Sequence, residues 1–352
     1  MAKVLMKGNE AIAEAAINAG CVHFFGYPIT PQTEIAEYMA KRLPKVGGLC
    51  LQAESEVAAI NMLMGASAAG TRAMTSSSSP GISLKSEGIS YIAGCDLPCL
   101  IVNVQRGGPG LGGIQPSQSD YYQATRGVGH GDLRLIVVAP SSVQEMATLT
   151  AEAFDLAEKY RMPAMLLADG ALGQMMEHVD FSQFEKREPA DKSWATDGMR
   201  GKRKKNIVNS LFIDPAVLEQ SVVERYKRYA QVEENEVKYE EFMTDDADIV
   251  LVAFGITARI AKSAIMECRK NGIKAGLLRP ITVWPFPKKP IAALAEKAKA
   301  FLSVEMSMGQ MVDDVRLAVN GKCPVHFFGR TGGIIPSVEE VAAEITKLNE
   351  SL

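Results

Sequence analysis

Gly26-Tyr27-Pro28-Ile29-Thr30-Pro31 and, further on, Glu54-Ser55-Glu56-Val57-Ala58-Ala59 decide how this chain is read. Each follows a short run, 22–26 and 48–52, that reads as a parallel strand. The second segment leads into an Ala/Gly-rich helix that ends Gly65-Ala66-Ser67-Ala68-Ala69-Gly70. Both segments are therefore expected at one edge of one sheet. An open α/β sheet binds ligands at the carboxyl ends of its strands. A carboxylate there, at the mouth of a helix, points to chemistry on a cofactor.

Outward from these segments, strand and helix patterns alternate. Arg72–Ser76, Cys99–Gln105, Leu133–Ala139 and Ala164–Asp169 read as further strands. Residues 142–158 carry apolar positions at helical spacing, and 82–94 reads as a helix. Thr30 is a plausible N-cap with Pro31 as first helical residue. This alternation predicts a mostly parallel sheet with helices on both faces over 1–176. Residues 177–245 change character. Glu185-Lys186-Arg187-Glu188 and Arg200-Gly201-Lys202-Arg203-Lys204-Lys205 read as a solvated linker or subunit contact, and 214–243 as a polar helix. A second α/β unit, 246–352, starts with the apolar strand Ile249–Phe254 and a helix to about residue 270. Strands at 275–279, 300–305 and 325–329 follow, with a last helix from Ser337 to Leu348. The expected fold class is α/β: two doubly wound, mostly parallel-sheet domains joined by a polar helical linker.

Composition narrows the function classes. The chain has 352 residues, 47% hydrophobic and 22% charged, with a formal net charge of −3. That balance gives no reason to expect nucleic acid or an acidic membrane as partner. No apolar run reaches the ~18 residues of a membrane span. Met1-Ala2-Lys3-Val4-Leu5-Met6 leads straight into a strand and does not read as a signal peptide, so the expected location is cytoplasmic. Cysteines stand at 21, 50, 95, 99, 268 and 323, without the CxxC groupings of zinc or iron–sulfur sites. They are expected to be free thiols, and no metal site is expected on this chain.

Several residues carry candidate chemistry. Glu56 at a helix start is favourable electrostatics in itself. The small residues that follow it admit a flat ligand or another backbone, with Gly65 nine residues on. Glu54 ranks second. The two prolines around Ile29-Thr30 stiffen that loop and fix where a Thr30 hydroxyl sits. Arg106 opens Arg106-Gly107-Gly108-Pro109-Gly110-Leu111-Gly112-Gly113 after a strand, and its planar fork suits a carboxylate. Gly108, Gly110 and Gly113 also satisfy GxGxxG, which keeps a dinucleotide-dependent dehydrogenase open. Pro116 interrupts where that fingerprint's helix should run. The turn Ser76-Ser77-Ser78-Ser79-Pro80-Gly81 reads as a capped helix start, with anion binding by its amides as the alternative. His130, in a glycine-rich loop, receives no role.

The Glu56 segment resembles the pyrimidine-binding half of thiamine diphosphate enzymes. Tyr27–Pro31 looks like the signature of the α subunits of 2-oxoacid:ferredoxin oxidoreductases. Arg279-Pro280-Ile281-Thr282-Val283-Trp284-Pro285-Phe286-Pro287, Glu305-Met306-Ser307-Met308-Gly309-Gln310 and Gly329-Arg330-Thr331-Gly332-Gly333 look like loops of a transketolase C-terminal-like domain. In that family the counterpart of Glu56 hydrogen-bonds N1′ of the cofactor's aminopyrimidine and so activates it. The resemblance implies that Arg106 holds the 2-oxoacid carboxylate and Thr30 contacts substrate. Tyr27, Pro28 and Ile29 would line the cofactor. Gln115-Pro116-Ser117-Gln118 looks most like the branched-chain (2-oxoisovalerate) members, with 2-oxoglutarate as runner-up. Asp169-Gly170-Ala171 is the nearest string to the diphosphate and Mg²⁺ motif, and it lacks the leading Gly and a following Asn. The family therefore implies a β subunit carrying the diphosphate and Mg²⁺ site and an iron–sulfur cluster, with γ and ferredoxin-like subunits beside it. Coenzyme A and ferredoxin would be co-substrates. A non-catalytic scaffold subunit is the third reading.

Overall fold

The computed structural model describes residues 3–184, 190–199, 201 and 203–352. The charged run Glu185–Glu188, together with Arg200 and Lys202, lies outside the described residues. In chain order the first part comprises β1 (Val4–Lys7), α1 (Gly8–Asn18), β2 (His23–Gly26), α2 (Thr33–Arg42), β3 (Leu49–Gln52) and α3 (Glu56–Ala68). It continues with β4 (Ala73–Ser77), α4 (Ser79–Gly94), β5 (Leu100–Gln105), α5 (Tyr121–Thr125), β6 (Ile136–Val138) and α6 (Val143–Tyr160). β7 (Ala164–Asp169), α7 (Gly170–Gln174), β8 (Met176–Val179), α8 (Pro215–Asn235) and β9 (Tyr239–Phe242) follow. The last part holds β10 (Ile249–Val252), α9 (Gly255–Lys270), β11 (Ala275–Pro280), β12 (Thr282–Trp284), α10 (Lys288–Leu294), β13 (Ala300–Glu305), α11 (Met311–Val319), β14 (Val325–Gly329) and α12 (Val338–Glu350).

The larger sheet has seven strands in the order β12-β6-β7-β5-β4-β2-β3, parallel except for β12. β5 and β7 are buried at every position, as strands covered on both faces must be. α1 packs on α6 and α3 on α4, and these pairs supply the covering layers. The second sheet runs β14-β13-β10-β11-β9, parallel except for β9, and β1 with β8 forms a small antiparallel ribbon. This is the α/β architecture expected. No described helix is long and apolar enough to cross a membrane.

Three expectations are corrected. The helix after β2 does not start at Pro31: its N-cap is Gln32 and its first residue Thr33, because the Thr30 carbonyl is held by another group. The polar helix ends at Asn235, not near 243. Residues 239–242 form an edge strand instead, with Glu240 paired to Arg279 of its neighbour β11 and to Lys262 of α9. Finally, Thr282–Trp284 is not a loop confined to the last part. It joins the first sheet as an antiparallel strand on β6.

Asp169 fastens the two sheets together. Its Oδ1 accepts from Leu172 N (3.0 Å), capping α7, and its Oδ2 accepts from Ile256 N (2.9 Å) at the start of α9. Gly255 sits at φ +61°, and a Cβ there would lie 2.6 Å from Asp169 Oδ2, so only glycine permits this approach. Gln118 completes the junction. Its Nε2 donates to Phe254 O (2.7 Å), and its Oε1 accepts from Met306 N (3.1 Å) and Thr257 Oγ1 (3.1 Å).

Candidate active site

The pairing of β2 creates the site. Beside β3 it runs to Gly26↔Gln52, but beside β4 it stops at Phe24↔Met74. The carboxyl ends of β2 and β4 therefore part. The chain moves from β2 outward to β3 and then returns to β4 on the other side of β2, so this gap is a topological switch point, where open α/β sheets bind ligands. Around it stand the loop 27–31 after β2, Glu56 after β3, Ser78–Gly81 after β4 and Arg106 after β5.

Glu56 is the first residue of α3. Ser55 caps the helix by accepting from Ala58 N (3.1 Å), which holds the Glu56 backbone in place and contributes about 1 kcal/mol. Its side chain is 7% exposed, and among the described residues no hydrogen bond reaches its carboxylate. A nearly buried carboxylate is costly unless it has a partner, so this one is poised for a donor from outside the chain. Glu54 lies beyond the end of β3 and is exposed, which leaves Glu56 as the carboxylate facing the gap's inner wall. Gly81 makes the fit. A Cβ there would lie 2.9 Å from Glu56 Oε1 and 2.1 Å from Ser77 Oγ. The Ser77 and Ser78 hydroxyls beside it are buried without partners.

Arg106 is 8% exposed and ties the opposite wall together. Its Nη1 donates to Thr30 O (3.0 Å) and its Nη2 to Leu111 O (3.2 Å), while Nε is buried without a partner. A guanidinium has five N–H donors, so several remain to receive a carboxylate. The glycine loop folds back around it: Gly113 N donates to Gly107 O and Gly107 N to Gln115 O, each at 3.0 Å. The GxGxxG glycines thus wrap an arginine, and the next helix begins only at Tyr121. That loop is not a strand–turn–helix dinucleotide fingerprint.

Thr30 is brought to Arg106 through its backbone, while its side chain is exposed. Gln32 is fully buried and braces the same loop. Its Nε2 donates to Tyr27 O (3.4 Å), and its Oε1 accepts from Ser76 Oγ across the gap. Tyr27 and Pro28 line a cleft of about 390 Å³ with Thr33, Ala36, Cys50 and Gln52. Neither Glu56 nor Arg106 lines it, so that cleft lies on the outer side of the site.

Three site residues went unrecognised in the sequence. Lys85 on α4 is fully buried, and its Nζ donates to Ser76 O (3.1 Å). Burial lowers its pKa to about 8, against an upward pull from Glu56. Asp120 accepts from Ser79 Oγ (2.6 Å) and Asn103 Nδ2 (2.9 Å); burial pushes its carboxyl up and these bonds pull it back. Ser79 Oγ also receives the Arg106 amide (3.1 Å), so Asp120 supports the arginine from behind. Gln32 gave no signal beyond following Pro31. Lys85 did give one: it stands four residues after Gly81 on one helix face.

His130 lies apart from this group. Its backbone N and O both bond Ser90 Oγ (2.7 Å each), near the far end of α4, and its ring meets Tyr91 edge-on. The six cysteines are free thiols, and burial raises that of Cys21 to about 12. Asp169, in the string closest to a diphosphate motif, has both oxygens committed to backbone N–H groups. The chain thus offers a fitting place for an aminopyrimidine ring, an unpaired carboxylate beside a glycine and two orphan hydroxyls. It does not offer Asp169 for a metal.

Residues 14–244 match the family model described as "Pyruvate flavodoxin/ferredoxin oxidoreductase, thiamine diP-bdg", and residues 247–341 that described as "Pyruvate:ferredoxin oxidoreductase core domain II". The chain is 51% identical over 348 residues to the ketoisovalerate oxidoreductase subunit VorB of Methanothermobacter marburgensis, covering 99% of this chain and 98% of that one. It is 38% identical over 372 residues to the 2-oxoglutarate synthase subunit KorA of Methanothermobacter thermautotrophicus, covering 98% of each. Among solved structures, it superposes with TM-score 0.88 and 29% identity on a 2-oxoglutarate:ferredoxin oxidoreductase from Magnetococcus marinus with 2-oxoglutarate, coenzyme A and succinyl-CoA bound. That match covers 98% of this chain and 65% of the other. A split-gene transketolase shares the fold at TM-score 0.59 and 12% identity.

Proposed function

Since this chain belongs to the family of 2-oxoacid:ferredoxin oxidoreductase subunits that depend on thiamine diphosphate, we propose that it is the α subunit of an enzyme oxidising a branched-chain 2-oxoacid. The products would be acyl-CoA, CO₂ and reduced ferredoxin. The observation that carries the α-subunit reading is Glu56, an almost buried and unpaired carboxylate beside Gly81 at the switch point. Substrate preference rests on identity: 51% to a ketoisovalerate oxidoreductase subunit against 38% to a 2-oxoglutarate synthase subunit.

When bound, thiamine diphosphate supplies the carbanion chemistry of decarboxylation. Glu56 would accept a hydrogen bond from the protonated N1′ of the aminopyrimidine, a task suited to a desolvated carboxylate. Tyr27, Pro28 and Ile29 would border the ring. Arg106 would hold the 2-oxoacid carboxylate with the donors that Thr30 O and Leu111 O leave free, and Thr30 would present its hydroxyl to the substrate.

The commitment of Asp169 to two backbone N–H groups supports a diphosphate and Mg²⁺ site on a β subunit, and the scattered cysteines of this chain favour an iron–sulfur cluster there. On this reading the chain is inactive alone and acts in a heteromer with β, γ and ferredoxin-like subunits. A cytoplasmic location goes with coenzyme A and ferredoxin as co-substrates.

The test is to co-purify the chain with its partners and assay a panel of 2-oxoacids with coenzyme A and a viologen acceptor. The expected result is the highest kcat/KM for 2-oxoisovalerate. A higher value for 2-oxoglutarate would overturn the substrate assignment, and turnover by the isolated chain would overturn the shared site.

A further inference from the structure

We propose that Leu111 is a specificity-determining residue: its side chain is the apolar wall against which the alkyl group of a branched 2-oxoacid packs. The proposal rests on the reading of Arg106 as the anchor of the substrate carboxylate and deepens it.

The fork of Arg106 fixes where that wall stands. Its Nη1 donates to Thr30 O (3.0 Å) and its Nη2 to Leu111 O (3.2 Å). Each Nη carries two N–H groups, so each keeps one for a ligand. A carboxylate seated on those donors is flanked by Thr30 on one side and Leu111 on the other. Both residues are exposed, Leu111 to 87%. Exposure of a single leucine assigns nothing by itself. The place of this one does, because its main chain is bonded to the group that holds the substrate.

The loop gives Leu111 a fixed main chain. It stands between Gly110 at φ +70° and Gly112 at φ +59°, a conformation that glycine adopts freely and side chains resist. A Cβ on Gly112 would lie 1.9 Å from Gly107 O, so the loop closes only with glycine there. Gly113 N donates to Gly107 O and Gly107 N to Gln115 O, each at 3.0 Å. The loop also leans on the second part of the chain, where a Cβ on Gly333 would lie 2.4 Å from Gln115 Cβ. A leucine held this way loses little further freedom when a ligand meets it.

Substrate geometry selects the flank. With its carboxylate on Arg106, a 2-oxoacid must point its carbonyl carbon toward the gap where Glu56 stands. The loop after β2, which carries Thr30, borders that gap. The third substituent of the carbonyl carbon, the alkyl group, leaves on the other flank and meets Leu111. A 2-oxoglutarate side chain would bring a second carboxylate to the same place, where a leucine supplies neither charge nor hydrogen-bond donor.

The experiment compares pyruvate with 2-oxoisovalerate in the reconstituted complex. Leu111→Ala is expected to lower kcat/KM for 2-oxoisovalerate about 10-fold, chiefly through KM, and to leave pyruvate within a factor of two. Leu111→Met, which keeps the apolar volume, should restore the wild-type ratio. Ile114→Ala, at the other exposed aliphatic residue of this loop, should leave the ratio unchanged. An unmoved ratio in Leu111→Ala overturns the proposal. So does an equal fall for both substrates, the mark of a loop or subunit contact, or an equal shift in Ile114→Ala. An unchanged KM in Arg106→Lys would instead overturn the anchor, and a wild-type preference for 2-oxoglutarate would overturn the substrate assignment.

Discussion

Arg106 reaches across the sheet edge to the backbone of Thr30, donating from Nη1 to its carbonyl oxygen at 3.0 Å. The two residues assigned to the substrate are therefore one mechanical unit, with the loop after β2 hung on the strand end of β5. Arg106→Lys tests this. A lysine is a point charge and cannot hold Thr30 O, Leu111 O and a carboxylate together. Losing a charge-assisted bond worth about 1.5–3 kcal/mol predicts a KM for the 2-oxoacid raised roughly 10- to 100-fold in steady-state kinetics, with kcat changed less. An unchanged KM would mean that the substrate carboxylate is held elsewhere.

Glu56→Gln keeps the shape of the side chain and removes its charge. If Glu56 activates the cofactor, turnover of the reconstituted complex falls by about 10²- to 10⁴-fold, the usual range for acid–base groups. The circular dichroism spectrum and melting curve stay at wild-type values. Turnover within a factor of two of wild type removes Glu56 from the chemistry.

Gly81→Ala puts a methyl group 2.1 Å from Ser77 Oγ and 2.9 Å from Glu56 Oε1, so both must move. Overpacking of this kind costs about 1–3 kcal/mol. Weaker thiamine diphosphate binding by the reconstituted complex is the expected outcome, measured by titration of the apo form. Wild-type affinity would show that the ring does not sit against Gly81.

Asp169→Ala leaves the amides of Leu172 and Ile256 without their acceptor. At about 1–3 kcal/mol for each of the two unpaired buried groups, the chain should lose about 2–6 kcal/mol of stability. Urea unfolding followed by fluorescence reads this as a lower midpoint. Asp169→Asn, which keeps one acceptor oxygen, should fall between the two.

Lys85 also makes a prediction about pH. Burial holds its folded pKa at about 8 against the ordinary 10.5. Between those values the unfolded chain still binds the proton that the folded chain has released, so stability rises with pH across this window. Below pH 8 the full penalty, about 3 kcal/mol, is present. Lys85→Met should lack that rise in urea unfolding at pH 7 to 10. Equal slopes for the two proteins would rule out a depressed lysine.

The strands that carry the site were legible because they are apolar runs with no competing pattern. Leu100–Gln105 and Ala164–Asp169 fall where the sequence puts them. Glu56 was legible because a lone acid begins a helix of small residues, and Arg106 because it follows a strand into glycines. What stayed hidden depends on contacts distant in sequence. Thr30 looked like a cap, yet its carbonyl is taken by a residue 76 positions away. Lys85 went unremarked in the sequence because its burial comes from tertiary packing. Tyr239-Glu240-Glu241-Phe242 looked helical because its acids continue a polar run, but Glu240 is drawn to Arg279 on the neighbouring strand. Thr282–Trp284 is three residues lying between Pro280 and Pro285, too short for periodicity to show.

That short strand has a consequence for how the protein is made. During synthesis the N-terminal part emerges first and begins to fold as a unit. Its largest sheet, however, ends in β6, whose outer edge stays open until Thr282–Trp284 leaves the ribosome. An unpaired edge invites pairing with other chains. The nascent subunit is therefore most exposed to mispairing while residues 139–281 are being translated. A gene split between the two sheets, near residue 245, would leave that edge to be closed in trans.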